Sequence, residues 1–143
     1  MDPVSFTVPG VARGQGRPRA TIRGKHAAVY KDAKSASYEN LVKLAAEAAM
    51  AGRVPMSGPV RLLLNVRCAP PASASRKVRE AMLSGASRPA KKPDLSNITK
   101  AVEDGCNGVA FIDDAQIVSL CAAKIYAETP GVDVSIEPLG ETI

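Results

Sequence analysis

KKPDLSNITKAVEDGCNGVAFIDDAQIV, residues 91–118, is the stretch on which the reading of the whole chain turns. From Ser96 or Asn97 its apolar residues recur in helical order, and Asn107-Gly108 supplies a stop. At about 100° per residue, Asn97, Lys100 and Asp104 fall within about 60° of one another. Ile98, Ala101, Val102, Gly105 and Cys106 turn to the other side. The segment therefore predicts a helix that buries an apolar face and shows an Asn-Lys-Asp stripe. Asp94 lies just before its N-terminus, and Asp113-Asp114 returns after a short loop that leads into a strand.

Working outward, the flanking segments supply a sheet. Residues 4–8 alternate as Val-Ser-Phe-Thr-Val, a strand pattern that Pro9-Gly10 stops. Residues 10–25 read as a Gly/Arg-rich loop, and residues 27–30 as a short strand. Over residues 35–50, Tyr38, Leu41, Val42, Ala45, Ala48 and Ala49 recur at spacings of three and four, predicting a helix. Ser35 or Ser37 is its candidate cap, with Gly52 and Pro55 marking its end. Residues 60–66 form a strand, and residues 75–84 a short basic helix opened by a serine cap and followed by Gly85. The last two strands, over residues 115–127 and 132–136, are expected to close as a hairpin. Val132, Val134 and Ile136 should face inward, with Asp133 and Ser135 outward. This order of elements argues an α+β fold: a single domain over residues 1–143, with a small mixed or antiparallel sheet packed with two to three helices.

Composition narrows the class. With 143 residues, no Trp, three Tyr and two Phe, the core should be aliphatic. The three cysteines fit no zinc spacing and read as small buried residues of a reducing compartment. His26, the single histidine, reads as a surface residue rather than a catalytic base. The start MDPVSFTVPG lacks the pattern of a secretory signal, and the apolar runs fall far below the roughly 20 residues of a membrane helix. The expectation is a soluble cytoplasmic protein with no membrane partner. Gly10, Gly14 and Gly16 are followed by no Gly-Lys-Ser/Thr, so they read as flexibility for a basic arm rather than as a nucleotide-binding P-loop.

The net charge of +5 is unevenly distributed. Residues 11–34 carry Arg13, Arg17, Arg19, Arg23, Lys25, Lys31 and Lys34 against Asp32 alone, a net of +6, whereas residues 91–118 carry −2. A basic arm beside an acidic centre suits a polyanionic substrate: the arm holds phosphates, and the acids hold a cation where charge develops. Arg13, Arg17, Arg19, Arg23 and Lys25 are the candidate DNA contacts. Carboxylates from two places on the chain suit a hard cation such as Mg²⁺, and a nearby lysine stabilises negative charge on a phosphodiester in reaction. Each residue also has an ordinary reading: Asp94 as a helix cap, Asp113-Asp114 as a turn, and Asn97, Lys100 and Asp104 as a solvated face.

The same stretch resembles the RusA-type Holliday-junction resolvases, whose pattern is K/R-P-D-x-D-N-x-x-K-A, an N-G turn, and D-D-x-Q-[IV]-V. The matching residues are Lys92-Pro93-Asp94, Asn97, Lys100-Ala101, Asn107-Gly108 and Asp113 through Val118. The upstream SRKVREAMLSGASRPAKKPD looks like a stretch of phage and prophage members, and GRPRATIRG like their basic N-terminal loop. The resemblance implies a RusA-like fold and a homodimeric endonuclease that cuts four-way DNA junctions in recombination and repair, in a bacterial or phage-infected cell, with Mg²⁺ or Mn²⁺. It carries Asp94, Lys100 and Asp114 over as catalytic residues, with Asp94 and Asp114, and less directly Asp113, as metal ligands; Asn97 and Asp104, from the helical stripe, are the supporting candidates. One position departs from the pattern: Ser96 stands where the second Asp of D-x-D is expected. This leaves natural tolerance, recruitment of another acid such as Asp104 or Asp113, an engineered change, or a junction-binding protein that does not cleave.

Overall fold

The structure is a computed structural model that describes residues 2–15, 19–23, 26–30 and 33–140, with side chains described over 2–15 and 37–140. In chain order the elements are β1 (Val4–Pro9), β2 (Arg19–Arg23), β3 (His26–Tyr30), α1 (Ala33–Met50), β4 (Val60–Cys68), α2 (Arg76–Leu83), α3 (Leu95–Cys106), a single 3₁₀ turn (Asp114–Gln116), β5 (Ile117–Tyr126) and β6 (Gly131–Pro138). Four strands form a mixed sheet in the order β1-β6-β4-β5. β4 pairs with β5 in parallel and with β6 antiparallel, and β6 pairs with β1 antiparallel. A parallel pair cannot be joined by a tight turn, so the chain crosses over through α2 and α3 before β5 begins.

Alternation along the strands makes the sheet two-faced. Val60, Leu62, Leu64 and Val66 of β4 are buried, as are Val132, Val134 and Ile136 of β6 and Val4 and Val8 of β1. They meet Tyr38, Val42, Ala46 and Met50 of α1 and Ile98, Ala101, Val102 and Cys106 of α3. The opposite face is polar. There Thr7 donates to Asp133, Arg67 pairs with Asp133 at 3.0 Å, and Arg61 with Glu137 at 3.2 Å.

The α+β reading holds, as do the inward and outward assignments along β6. Three expectations are corrected. β5 and β6 form no hairpin, because β4 lies between them: its apolar residues 62–64 have a neighbour on each side, as suits an interior strand. Part of the expected arm loop is the strand β2, paired antiparallel with β3. Its Ala20-Thr21-Ile22 segment has strand propensity, which the flanking arginines obscured. α1 begins at Ala33, so Ser35 and Ser37 lie within it rather than before it. Its buried register also differs: Ala46 and Met50 are in the core, while Leu41 is 38% exposed.

α1 and α3 cross closely because α3 carries Gly105 at the contact. A Cβ at Gly105 would lie 2.6 Å from Val42 Cγ1 and 3.0 Å from the Glu39 carbonyl oxygen. The carbonyl belongs to rigid helix backbone, so the helices must separate to admit a methyl group. Gly105→Ala is expected to destabilise the fold by about 1–3 kcal/mol despite its gain in helix propensity. Urea unfolding followed by circular dichroism checks this, and an unchanged midpoint would contradict the close crossing.

Candidate active site

α3 positions the central cation. Ile98, Ala101, Val102, Gly105 and Cys106 are buried, together with Thr99, whose hydroxyl donates to the Leu95 carbonyl. This leaves Asn97 and Lys100 on the exposed side and Asp104 half-buried between α3 and its surroundings. The Lys100 Nζ donates to Asp114 Oδ2 at 3.1 Å and lies 3.3 Å from Asp104 Oδ1. The structure thus joins the stripe of the helix to the second Asp of the Asp113-Asp114 pair.

The Asp114 hydrogen bond holds the Lys100 ammonium above the usual lysine range; partial burial opposes this, and Asp104 reinforces it. Lys100 is therefore a fixed positive charge at neutral pH, suited to stabilising an anion rather than removing a proton. Burial pushes the neighbouring Glu103 carboxyl up; Lys100 opposes that shift, and Asp114 and Asp104 add to it. With the Lys100 side chain 47% exposed, these ion pairs are each worth at most about 1 kcal/mol. They contribute little to stability.

The turn that presents Asp114 is built around Gln116. Its Oε1 accepts from the backbone N–H groups of Ile112 and Asp113 at 2.8 and 2.9 Å. Its Nε2 donates to the carbonyls of Met56 and Gly58 at 2.7 and 2.9 Å. Asp113 caps the 3₁₀ turn, its Oδ2 accepting from Ala115 N at 3.2 Å. In the Asp-Asp-x-Gln run the residues thus divide the work: Asp113 caps, Asp114 faces Lys100, and Gln116 fastens the turn to the segment before β4. Just upstream, Phe111 is fully buried and bridges both Met56 and Asn107. Gly108, with φ +77°, makes the reversal after α3 that the Asn107-Gly108 pair announced.

Asp94 is the N-cap residue of α3, exposed, and its side chain makes no capping bond. Six residues of helix put it about 9 Å along the axis from Lys100, and no ion pair joins the two. Lys124 of β5 fixes the approach to Asp94, donating to the backbone carbonyls of Lys91 and Pro93. Ser96 and Asn97 are exposed in the first turn of α3. Among the described residues no three Asp, Glu, His or Cys side chains gather as a ready cation cage. The oxygen donors of Asp94, Ser96 and Asp114 match a hard divalent ion in kind, and such an ion keeps several waters where protein ligands are few.

Of the candidate DNA contacts, Arg13 is exposed at the root of the arm. Arg19 and Arg23 open and close β2, where only the backbone is described, and Arg17 and Lys25 lie outside the described residues. On α2, a second basic stretch, Arg76 pairs with Glu80 at 3.3 Å. The cysteines are free, but only Cys106 is buried; Cys68 is half-buried and Cys121 is exposed on β5, which corrects the expectation of three buried thiols. No helix among the described residues is long and apolar enough to cross a membrane.

Sequence reasoning missed Gln15, Glu39 and Lys124. Gln15 donates to Asp104 of α3 and, at 3.5 Å, to Glu39 of α1. Such long-range partners leave no local periodicity to read.

A family model described as "Endodeoxyribonuclease RusA" matches residues 9–137. The uncharacterized protein YqaN of Bacillus subtilis (strain 168) is 37% identical over 138 residues, covering 95% of this chain and 96% of YqaN.

Proposed function

The chain belongs to the RusA endodeoxyribonuclease family, and from that premise we propose that it is a divalent-metal-dependent endonuclease that resolves four-way DNA junctions by paired phosphodiester cleavage, in recombination and repair. The observation that carries this reading is the Lys100 ammonium held by Asp114 and Asp104 at 3.1 and 3.3 Å on an accessible surface. A fixed cation beside carboxylates suits a phosphodiester, whose reaction concentrates negative charge on phosphoryl and leaving oxygens.

The roles follow from chemistry. Lys100 neutralises charge on the reacting phosphate. Asp94 and Asp114 are the carboxylates that would hold Mg²⁺ or Mn²⁺, with the Ser96 hydroxyl as a neutral third donor and Asp113 adjacent. Such an ion, when bound, polarises the phosphate and lowers the pKa of an attacking water. Asn97 lies at the rim of the site, Asp104 steadies Lys100, and Gln116 keeps Asp114 in place. Arg13 and the basic arm, including Arg17, Arg19, Arg23 and Lys25, hold DNA phosphates and give affinity rather than sequence reading. Two strands must be cut, so residues 1–143 act as one nuclease domain in a two-fold dimer that supplies two sites.

Ser96 favours a second reading, a protein that binds junctions without cutting them. The test is incubation with a labelled four-way junction, with and without Mg²⁺. Symmetric paired nicks that require the metal support the nuclease; salt-sensitive binding without nicks supports the second reading. Ser96→Asp separates them further. Asp in the first helical turn is favourable to the helix dipole, so the variant should fold. It is expected to raise both metal affinity and cleavage, and unchanged or lower cutting at saturating Mg²⁺ would sink that expectation.

A further inference from the structure

Both proposed metal carboxylates are tied to β5. At the start of the strand, the 3₁₀ turn presents Asp114 to Lys100. Near its end, the Lys124 ammonium donates to the Lys91 carbonyl and, at 3.0 Å, to the Pro93 carbonyl. The Pro93 carbonyl belongs to the peptide unit that enters Asp94, so this bond acts on the backbone that carries the carboxylate. Two lysines, one from each element, thus clasp α3 and the loop before it to β5.

The anchor is firm. Lys124 lies opposite Val66, a fully buried residue of the interior strand β4, in a register that runs on to Cys68 and Tyr126. The loop has little regular structure of its own: among the described residues no backbone–backbone hydrogen bond engages residues 88–93. Packing still places it. Pro89 is buried, and a Cβ at Gly14 would lie 3.4 Å from Pro93 Cβ. Packing sets where the loop lies, whereas the ammonium sets how two of its carbonyls point, because charge-assisted hydrogen bonds are strong and directional. We propose that Lys124 is a positioning residue for metal binding: by holding the Lys91 and Pro93 carbonyls it sets the direction in which Asp94 leaves the loop, so that β5 fixes the spacing between the Asp94 and Asp114 carboxylates.

The physical argument is one of geometry. Asp94 is exposed and its side chain makes no capping bond, so its direction is inherited from the backbone beneath it. Asp94 and Asp114 are far apart in the chain, and tertiary contacts alone set their separation. Mg²⁺ demands nearly ideal ligand geometry, so a small error in that separation is felt in affinity.

The proposal rests on Asp94 and Asp114 being the metal carboxylates, and its test separates the two. Lys124→Met keeps the length of the side chain and removes its donors and its charge; the residue is partly exposed on an edge strand, so the variant should fold. Removing a nearby cation would by itself favour a divalent ion, so a fall in metal affinity reports geometry rather than charge. In protein without DNA, the Mn²⁺ affinity read by electron paramagnetic resonance is expected to fall about tenfold. Lys124→Arg restores donors and charge and is expected to recover more than half of that loss. In a nitrogen-15 spectrum of metal-free Lys124→Met, the backbone amide signals of Asp94 and Leu95 should shift, while the Gln116 side-chain amide stays in place. With a labelled junction, the Mg²⁺ needed for half-maximal cutting should rise about tenfold, with the rate at saturating Mg²⁺ within about threefold of the parent. Unchanged or higher Mn²⁺ affinity, a Gln116 signal that moves as far as that of Asp94, or no recovery in Lys124→Arg would each overturn the proposal while leaving the nuclease standing. So would a loss confined to metal-free junction affinity with a shallower salt dependence, which would make Lys124 a phosphate contact. A parent chain that takes up no Mn²⁺ sinks the metal reading and the positioning role together.

Discussion

Asp114→Asn is expected to reduce junction cleavage by about a thousandfold, the upper range for removing one electrostatic element of an active site. The substitution is nearly isosteric, and it removes a charge from a group that accepts from Lys100 at 3.1 Å. Among the described residues Lys100 then keeps only Asp104 as a charged partner at hydrogen-bond distance, and a metal ion loses one of two proposed carboxylates. The ion pair is partly exposed, so the fold should lose at most about 1 kcal/mol. Single-turnover cleavage of a labelled junction gives the rate, and a gel shift without metal gives the affinity, which should stay within about twofold. Cutting at the parent rate would show that the charge at the reacting phosphate comes from other residues.

The largest expected loss of stability is at Phe111. It is the largest of the fully buried side chains among the described residues, and its backbone bridges to Met56 and Asn107. Phe111→Ala removes a ring from a site enclosed by the end of α3, the segment before β4 and the turn before β5, with little freedom to collapse. The cost is expected at about 3–5 kcal/mol, lowering the melting temperature by about 10 °C or more. Thermal melting by circular dichroism checks this. Phe111→Leu should recover more than half of the loss, because it refills much of the volume; equal losses in the two variants would place the effect outside packing.

The elements that bury one face were legible because burial imposes a period. The α3 stripe at Ile98, Ala101, Val102, Gly105 and Cys106 is buried as its spacing predicts, and β6 alternates as its sequence does. Sheet order was not legible, since pairing joins distant residues: Val66 has Val132 on one side and Lys124 on the other. The site divides the same way. Lys100 and Asp114 could be named as candidates because their motif is contiguous, and helical spacing put Asp104 on the same face as Lys100. Gln116 was quoted as part of a motif, but its task became visible only with the carbonyls of Met56 and Gly58 beside it. Gln15 lies 89 residues from the acid it holds, and nothing in the local pattern marks it.

The sheet order has a last consequence, for the solubility of the protein. β5 is an edge strand, and among the described residues no strand pairs with its outer side. Val118 and Leu120 lie on it, 65% and 51% exposed. Edge strands are commonly guarded against adhesion by a lysine. β5 has one in Lys124, but its ammonium is bound to the carbonyls of Lys91 and Pro93 and keeps the loop before α3 in shape. The residue that would repel a second strand is employed in building the site, which leaves the Val118–Leu120 end of the edge open to self-association in concentrated solution.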